Sequence, residues 1–181
     1  VKNISLQIKA MAEVVKKYSN TELWIVGDGA EKSNLKSKIS RLQRLSAAMA
    51  GAAKLKLENN IKFMGWQNNP SEFYSQADAF LLTSDYEGWG MVIVEAARYG
   101  LPIIMTDVGC AGELIKDGES GIIIPINNQT ELEKAMTRLI NDENLRKNLA
   151  EGAFLAVKNL PNKEETLALY KKSWEKAKNN K

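Results

Sequence analysis

The chain has 181 residues, of which 44% are hydrophobic and 26% charged, and its formal net charge is +3. This length suits one domain with a sizeable core, and the small charge excludes the basic footprint of a nucleic-acid-binding protein. No apolar run approaches a membrane span, and the single Cys110 excludes an internal disulfide and fits a reducing compartment. Because there is no histidine, any chemistry must rest on carboxylates, amides and cations, or on a partner.

The first half of the chain predicts alternating helices and strands. Apolar residues at a period of 3.6 predict a helix over 4–18, and the run 22–26 predicts a strand ending in a glycine turn at Gly27 and Gly29. A second helix follows through Leu45, and the alanine-rich stretch 47–53 reads equally as helix, loop or engineered join. A strand over 61–64, closed by Gly65, precedes a brief helix over 70–76.

The second half continues the alternation. A strand over 78–83 leads into a polar loop, and a helix from Met91 ends at Gly100, just before Pro102. We predict strands over 102–106 and 122–124, a helical turn over 113–115, and helices from 129 to the end, the last over about 163–178. Wholly apolar strands alternating with helices predict a doubly wound, Rossmann-like α/β fold with a parallel sheet covered on both faces.

The stretch 84–100, S-D-Y-E-G-W-G-M-V-I-V-E-A-A-R-Y-G, joins a strand to a helix through a tight loop. The first turn of a helix has unpaired N–H groups and the positive end of the dipole, which suits an anion such as phosphate. Gly88 and Gly90 let a ligand approach the backbone closely. An acid inside the helix, Glu95, suits hydrogen bonds from sugar hydroxyls beside that phosphate.

The segment E-G-W-G-M-V-I-V-E-A resembles the E-x7-E signature of retaining GT-B glycosyltransferases, the glycosyl transferases group 1 family. The resemblance continues through A-A-R-Y-G-L-P-I-I-M-T-D-V-G and E-L-I-K-D-G-E-S-G-I-I-I-P. Upstream it includes L-W-I-V-G-D-G-A and I-K-F-M-G-W, so it covers nearly all of the chain. It implies that residues 1–181 are the C-terminal, donor-binding half of a GT-B fold, with a helical tail over about 128–181. The first strand of that half and the N-terminal acceptor domain are then expected to be absent.

The resemblance also implies a role for each site residue. Glu87 is the expected catalytic residue near the transferred sugar, and Glu95 is expected to bond the ribose hydroxyls. Trp89 stands where the family usually has Phe, and Trp66 lies in the segment near the base. The expected donor-binding residues are Lys2, Gly27, Gly65, Gly88, Trp89, Gly90, Met91, Val92 and Glu95.

Several of these residues have a simpler interpretation. Glu87 could cap the following helix, Glu95 could be a solvated helix acid, and Lys2 could be a solvated terminal residue. Trp66 could stack on a base or simply pack. Cys110 departs from the family pattern and lacks a histidine to activate it, so we do not expect a nucleophile.

The resemblance implies a UDP- or GDP-linked sugar donor, no obligatory cofactor or metal, and an N-terminal acceptor domain as partner. It further implies a cytoplasmic location, with membrane association through that domain. The sugar, the base and the acceptor stay open. Two alternatives remain, a non-catalytic fragment, fusion partner or scaffold of this fold, and a nicotinamide-binding Rossmann protein. The latter is disfavoured because Lys32 stands where the third glycine of G-x-G-x-x-G belongs.

Overall fold

Residues 2–48 and 56–179, the part of the chain that this computed structural model describes, contain five strands and eight helices. The strands are β1 (Leu23–Val26), β2 (Ile61–Gly65), β3 (Phe80–Leu82), β4 (Ile103–Thr106) and β5 (Ile122–Ile124). The helices are α1 (Ile4–Lys17), α2 (Lys32–Ala48), α3 (Leu57–Asn60), α4 (Ser71–Gln76), α5 (Met91–Arg98), α6 (Gln129–Asn141), α7 (Glu143–Lys158) and α8 (Lys163–Asn179).

All pairing between these strands is parallel, which confirms the predicted α/β class. The described strands form two hydrogen-bonded sheets rather than one continuous sheet: β1 pairs with β2, and β4 lies between β3 and β5. The register in the larger sheet places Phe80 opposite Ile103 and Ile104 opposite Ile122. The carboxyl ends of strands paired in parallel lie at a common edge, and this edge carries the predicted glycine loops.

Two apolar clusters hold helices against the strands. One centres on α1, whose Ile8 and Met11 are fully buried with apolar residues of β1, β2 and α6. The other packs Ile93 of α5 against β4 and α7. Every residue of β4 is buried. This burial agrees with the apolar run in its sequence, because a parallel strand covered on both faces has no solvent-exposed side.

The structure differs from the sequence prediction in two elements. The short helix α3 carries no clear periodicity and was not predicted. The expected helical turn at 113–115 is a hydrogen-bonded turn, in which Leu114 N donates to Cys110 O at 3.0 Å. Gly112 has a φ of 78° immediately before it, and a left-handed residue cannot continue a right-handed helix. Of the ambiguous stretch 47–53, the first two residues end α2, and 49–53 lie outside the described residues.

We expect Gly152→Ala to destabilise the fold, although alanine normally favours a helix over glycine by ~1 kcal/mol. Gly152 lies in α7 where a Cβ would stand 2.1 Å from Glu119 O. Relieving this overlap should cost about 1–3 kcal/mol in the free energy of unfolding, measured in urea. The control Asn148→Ala, at an exposed position of α7, should leave stability unchanged or slightly higher. Equal stability of both variants would refute this close contact.

Candidate functional site

The predicted catalytic residue Glu87 is held by two side-chain donors. Lys2 Nζ lies 2.5 Å from Glu87 Oε1, and Ser84 Oγ donates to the same oxygen at 2.6 Å. Burial raises the pKa of this carboxyl, but the bonds from Lys2 and Ser84 outweigh it and hold the pKa below its usual value. Glu87 is therefore ionised at neutral pH and serves as an acceptor or an electrostatic group rather than as an acid.

The alternative in which Glu87 caps the next helix is wrong. The N-cap of α5 is Gly90, which has φ 89° and ψ 58° and no side-chain cap bond. A glycine is required there, because an L side chain is strained in this region. The helix begins with Ile93 N donating to Gly90 O at 2.8 Å, after the exposed Met91 and the half-buried Val92. The first N–H groups of α5 thus point toward the loop that carries Glu87.

This loop is fixed by the loop that follows β4. Cys110 N donates to Trp89 O at 3.0 Å. Gly109 adopts a φ of 60°, and a Cβ placed on it would lie 2.7 Å from the same carbonyl oxygen. Cys110 itself is buried, and its burial raises the pKa of the thiol, with a further contribution from nearby Glu113 and Glu87. This environment gives no support to a nucleophilic cysteine.

The turns after β1 and β2 meet directly. Gly27 N donates to Gly65 O at 2.7 Å, and both glycines have positive φ, 122° and 72°. Trp66, next to Gly65, is 75% exposed, so the packing interpretation of this indole is wrong. Its ring is free for stacking, while its Nε1 donates to Asn68 Oδ1 at 3.2 Å.

Glu95 projects from α5 as an exposed carboxylate and accepts a hydrogen bond from a side chain that was not among the predicted site residues. Tyr74 of α4 donates its hydroxyl to Glu95 Oε2 at 3.0 Å, and its ring stacks on Tyr99 with centroids 5.4 Å apart. Burial and the neighbouring Glu95 raise the pKa of Tyr74, so the phenol stays protonated and keeps donating. No sequence pattern indicates this contact, because the two residues are 21 positions apart on different elements.

A second polar group lies beside the Lys2–Glu87 pair. Asn3 Nδ2 donates to Asp85 Oδ1 at 3.0 Å and to Asn127 Oδ1 at 2.5 Å. Asn3 and Asn127 both have left-handed backbones, with φ of 48° and 58°. Asp85 and Asn127 follow β3 and β5, so the rule that ligands bind at strand carboxyl ends could have singled them out.

A cleft of about 840 Å³ brings four of the predicted site residues together: Lys2, Gly27, Val92 and Glu95. Trp66 and Tyr74 also line it. The remaining predicted residues lie outside its lining. Glu87 and Gly65 are bonded to Lys2 and Gly27, whereas Gly88, Trp89, Gly90 and Met91 form the chain segment that leads to Val92.

Residues 2–48 and 56–179 contain no group of three or more histidine, cysteine, aspartate or glutamate side chains placed to hold a metal ion. Within the same ranges, no helix combines the length and the apolar character needed to cross a bilayer.

Parallel strands flanked by helices, with glycine loops at their carboxyl ends, define a Rossmann-like α/β protein. Residues 1–155 match the family described as "Glycosyl transferases group 1", and the chain belongs to that family. The resemblance predicted from the sequence motifs is confirmed at this level.

Similar proteins include the lipopolysaccharide core biosynthesis glycosyltransferase LpsE of Rhizobium meliloti, 29% identical over 78% of this chain and 38% of LpsE. The poly(glycerol-phosphate) alpha-glucosyltransferase of Bacillus subtilis is 30% identical over 85% of this chain and 21% of its own length. Among solved structures, the pneumococcal O-GlcNAc transferase GtfA in complex with UDP and GlcNAc aligns with a TM-score of 0.75 and 26% identity. That alignment covers 97% of this chain and 33% of GtfA. The matches thus span between about a fifth and two fifths of the length of these curated relatives.

Proposed function

We propose that this chain is the donor half of a retaining glycosyltransferase and binds a nucleoside-diphosphate sugar for hexosyl transfer to a glycan or lipid. The observation that carries the proposal is the start of α5, where a left-handed glycine exposes helix N–H groups beside the Lys2–Glu87 pair. Support comes from the complex of GtfA with UDP and GlcNAc. The E-x7-E resemblance supports retention of anomeric configuration, with Glu87 and Glu95 as the two glutamates.

The diphosphate is assigned to the first turn of α5. Backbone N–H groups at Met91 and Val92 and the helix dipole favour an anion there. Gly88 and Gly90 leave the backbone open to it, and nothing lies within 4 Å of a Cβ added at Gly88. During transfer, fixed donors of this kind stabilise the charge that develops on the departing diphosphate, without a metal.

Lys2 supplies the cation of this site. Its side chain is 55% exposed and makes an ion pair with Glu87, whose side chain is only 14% exposed. A diphosphate offers Lys2 several acceptor oxygens of higher charge, so donor binding draws Lys2 from the carboxylate to the phosphate. Glu87 then faces the transferred sugar as an ionised group, and Gly27, Gly65 and Trp89 border the donor.

We assign acceptor binding to a separate N-terminal domain, because the described site residues form only one side of the cleft between donor and acceptor. We place the intact enzyme in the cytoplasm, with that domain at the membrane. A nicotinamide site receives less support, since Lys32 opens α2 where a third glycine is needed and pairs with Asp28 at 3.2 Å.

Titration calorimetry with UDP, GDP and NADH tests donor binding. We expect UDP to bind more tightly than GDP, and NADH to give no heat beyond dilution. Tighter binding of NADH than of either diphosphate would overturn the proposal.

Glu95→Gln should weaken UDP binding by ~1–3 kcal/mol, because a neutral amide accepts the ribose hydroxyls less well than a carboxylate. The wild-type chain should bind 2′-deoxy-UDP poorly, whereas the variant should bind both nucleotides alike. Glu151→Gln, at an exposed position of α7, is the matched control and should bind like the wild type. An equal loss for both nucleotides would remove Glu95 from ribose recognition.

A further inference from the structure

Tyr74 of α4 carries a hydroxyl whose direction is fixed by the packing of its own ring. The ring stacks on Tyr99 with centroids 5.4 Å apart and planes inclined by 25°, and it packs tilted against Phe80 with centroids 5.8 Å apart. Aromatic pairs at these separations hold each other in preferred orientations, and two torsion angles are enough to place a tyrosine ring. The phenol oxygen of Tyr74 is therefore in position before a ligand arrives.

Glu95 is long and exposed, so its rotamer has to be fixed by a neighbour. An exposed glutamate samples several rotamers in water. A ligand that binds such a side chain loses affinity, because those rotamers must be restricted on binding. The hydroxyl of Tyr74 donates to Glu95 Oε2 at 3.0 Å and restricts them in the free chain.

The bond from Tyr74 leaves Glu95 with most of its capacity as an acceptor. Within the described part of the chain, Tyr74 is the one hydrogen-bond donor to this carboxylate. Each carboxylate oxygen has two lone pairs, so Oε2 keeps one for a ligand and Oε1 keeps both. The two neighbouring hydroxyls of a ribose can thus bond to the two oxygens of Glu95 side by side.

The donor to Glu95 is also neutral. Burial and the bond to Glu95 raise the pKa of Tyr74, so the phenol keeps its proton at neutral pH. A lysine or arginine in the same place would neutralise the carboxylate and weaken it as an acceptor for sugar hydroxyls. The phenol instead orients Glu95 and leaves its negative charge to strengthen the bonds to a ligand.

Tyr74 also connects two parts of the candidate site. Its helix α4 follows Pro70 and the loop that carries Trp66, and Trp66, Tyr74 and Glu95 all line the same cleft. The bond from Tyr74 thus links the segment expected near the base to the carboxylate proposed to bind the ribose.

We propose that Tyr74 is a positioning residue for nucleoside recognition, whose hydrogen bond holds Glu95 in the rotamer that accepts both ribose hydroxyls of a nucleoside diphosphate. The inference rests on the proposed function, in which Glu95 binds the ribose. Tyr74 acts through Glu95 and does not itself touch the nucleotide. The preference for a ribonucleotide therefore depends on a side chain outside the contacts of the ligand.

Calorimetric titration with UDP and with 2′,3′-dideoxy-UDP, which has no ribose hydroxyl, tests this role. Tyr74→Phe removes the hydroxyl and keeps the stacked ring. We expect the Kd for UDP to rise about threefold to tenfold, and that for the dideoxy nucleotide to change by less than about twofold. In a Glu95→Ala background the same substitution should change neither Kd. The control Tyr170→Phe removes an exposed phenol hydroxyl from α8 and should bind both nucleotides like the wild type.

The outcomes separate this inference from the proposed function. A wild-type chain that binds UDP no better than the dideoxy nucleotide would remove Glu95 from ribose recognition and overturn both. If the wild type prefers UDP, a folded Tyr74→Phe variant with the same preference overturns this inference alone. An equal loss for both nucleotides does so too, because it is the result of a merely structural role. A loss caused by Tyr74→Phe in the Glu95→Ala background would show that Tyr74 acts on the nucleotide directly, which also contradicts the inference.

Circular dichroism verifies that each variant is folded. If Tyr74→Phe does not fold, two synthetic residues introduced at position 74 make the same comparison. With p-aminophenylalanine a donor stays at the ring position of the hydroxyl, whereas O-methyltyrosine removes it. The preference for UDP should persist with the first and fall with the second, and an equal preference in both would refute the positioning role.

Discussion

The 181-residue chain alone should transfer no measurable sugar to an acceptor. Proximity of two bound reactants contributes ~7–11 kcal/mol in favourable cases, and one side of a cleft cannot provide it. The proposed donor site is open, with Glu95, Trp66 and Met91 exposed, so water should weaken charge stabilisation at a departing diphosphate. The sequence also lacks histidine, the usual general base at neutral pH.

Mass spectrometry of mixtures of the chain with UDP-sugars and candidate glycan or lipid acceptors measures this directly. The positive control is the same chain joined to its acceptor-binding domain, which should turn over. Multiple turnovers by the chain alone would show that it contains an acceptor site of its own, and the active site would have to be placed elsewhere. Absence of turnover in the joined enzyme would favour a non-catalytic use of the fold.

Gly90→Val should abolish UDP binding while leaving the chain folded. At φ 89° an L residue costs about 1–2 kcal/mol, and a β-branched one has the least freedom to adapt. A Cβ at Gly90 would already touch Ile93 and Leu82 at 3.5 and 3.6 Å, so the γ-carbons of valine must displace the loop or the helix start. Either movement disturbs the N–H groups proposed to bind the diphosphate.

The control for this variant is Gly100→Val, at the other end of α5. Gly100 has a φ of 68°, and nothing lies within 4 Å of an added Cβ. Gly100→Val therefore introduces backbone strain at the same helix without a steric clash. Circular dichroism should show both variants folded and both less stable, and calorimetry should show UDP binding lost in Gly90→Val alone. UDP binding by a folded Gly90→Val variant would place the ligand away from α5.

The strands and most helices could be predicted from the sequence because their signals are local. An apolar run such as that of β4, or a Gly–Pro stop such as Gly100 and Pro102, needs no knowledge of the rest of the chain. The turn at 113–115 was mistaken because one left-handed glycine outweighed the helix-forming residues around it. The split into two sheets was not anticipated, since hydrogen bonding between strands depends on neighbours that sequence periodicity does not identify.

The candidate site was predictable in part for the same reason. Gly88 and Gly90 were recognisable beside Glu87 because one loop contains them all. The bonds of Lys2 to Glu87 and of Tyr74 to Glu95 join residues 85 and 21 positions apart, and no spacing rule predicts them. The bond between Asn3 and Asn127 belongs to the same category, because these two residues are 124 positions apart.

The contact between Gly109 and the Trp89 carbonyl has an evolutionary consequence. Any side chain at position 109 would collide with main-chain atoms 20 residues earlier, and main-chain atoms cannot be removed by substitution. Position 109 can therefore accept a new residue only after the path of the 84–90 loop has changed. A chain that altered the two loops one at a time would pass through a strained intermediate. Within the proposed donor site, sequence variation is thus more accessible at Trp66 or Trp89, whose side chains are exposed and can be replaced singly.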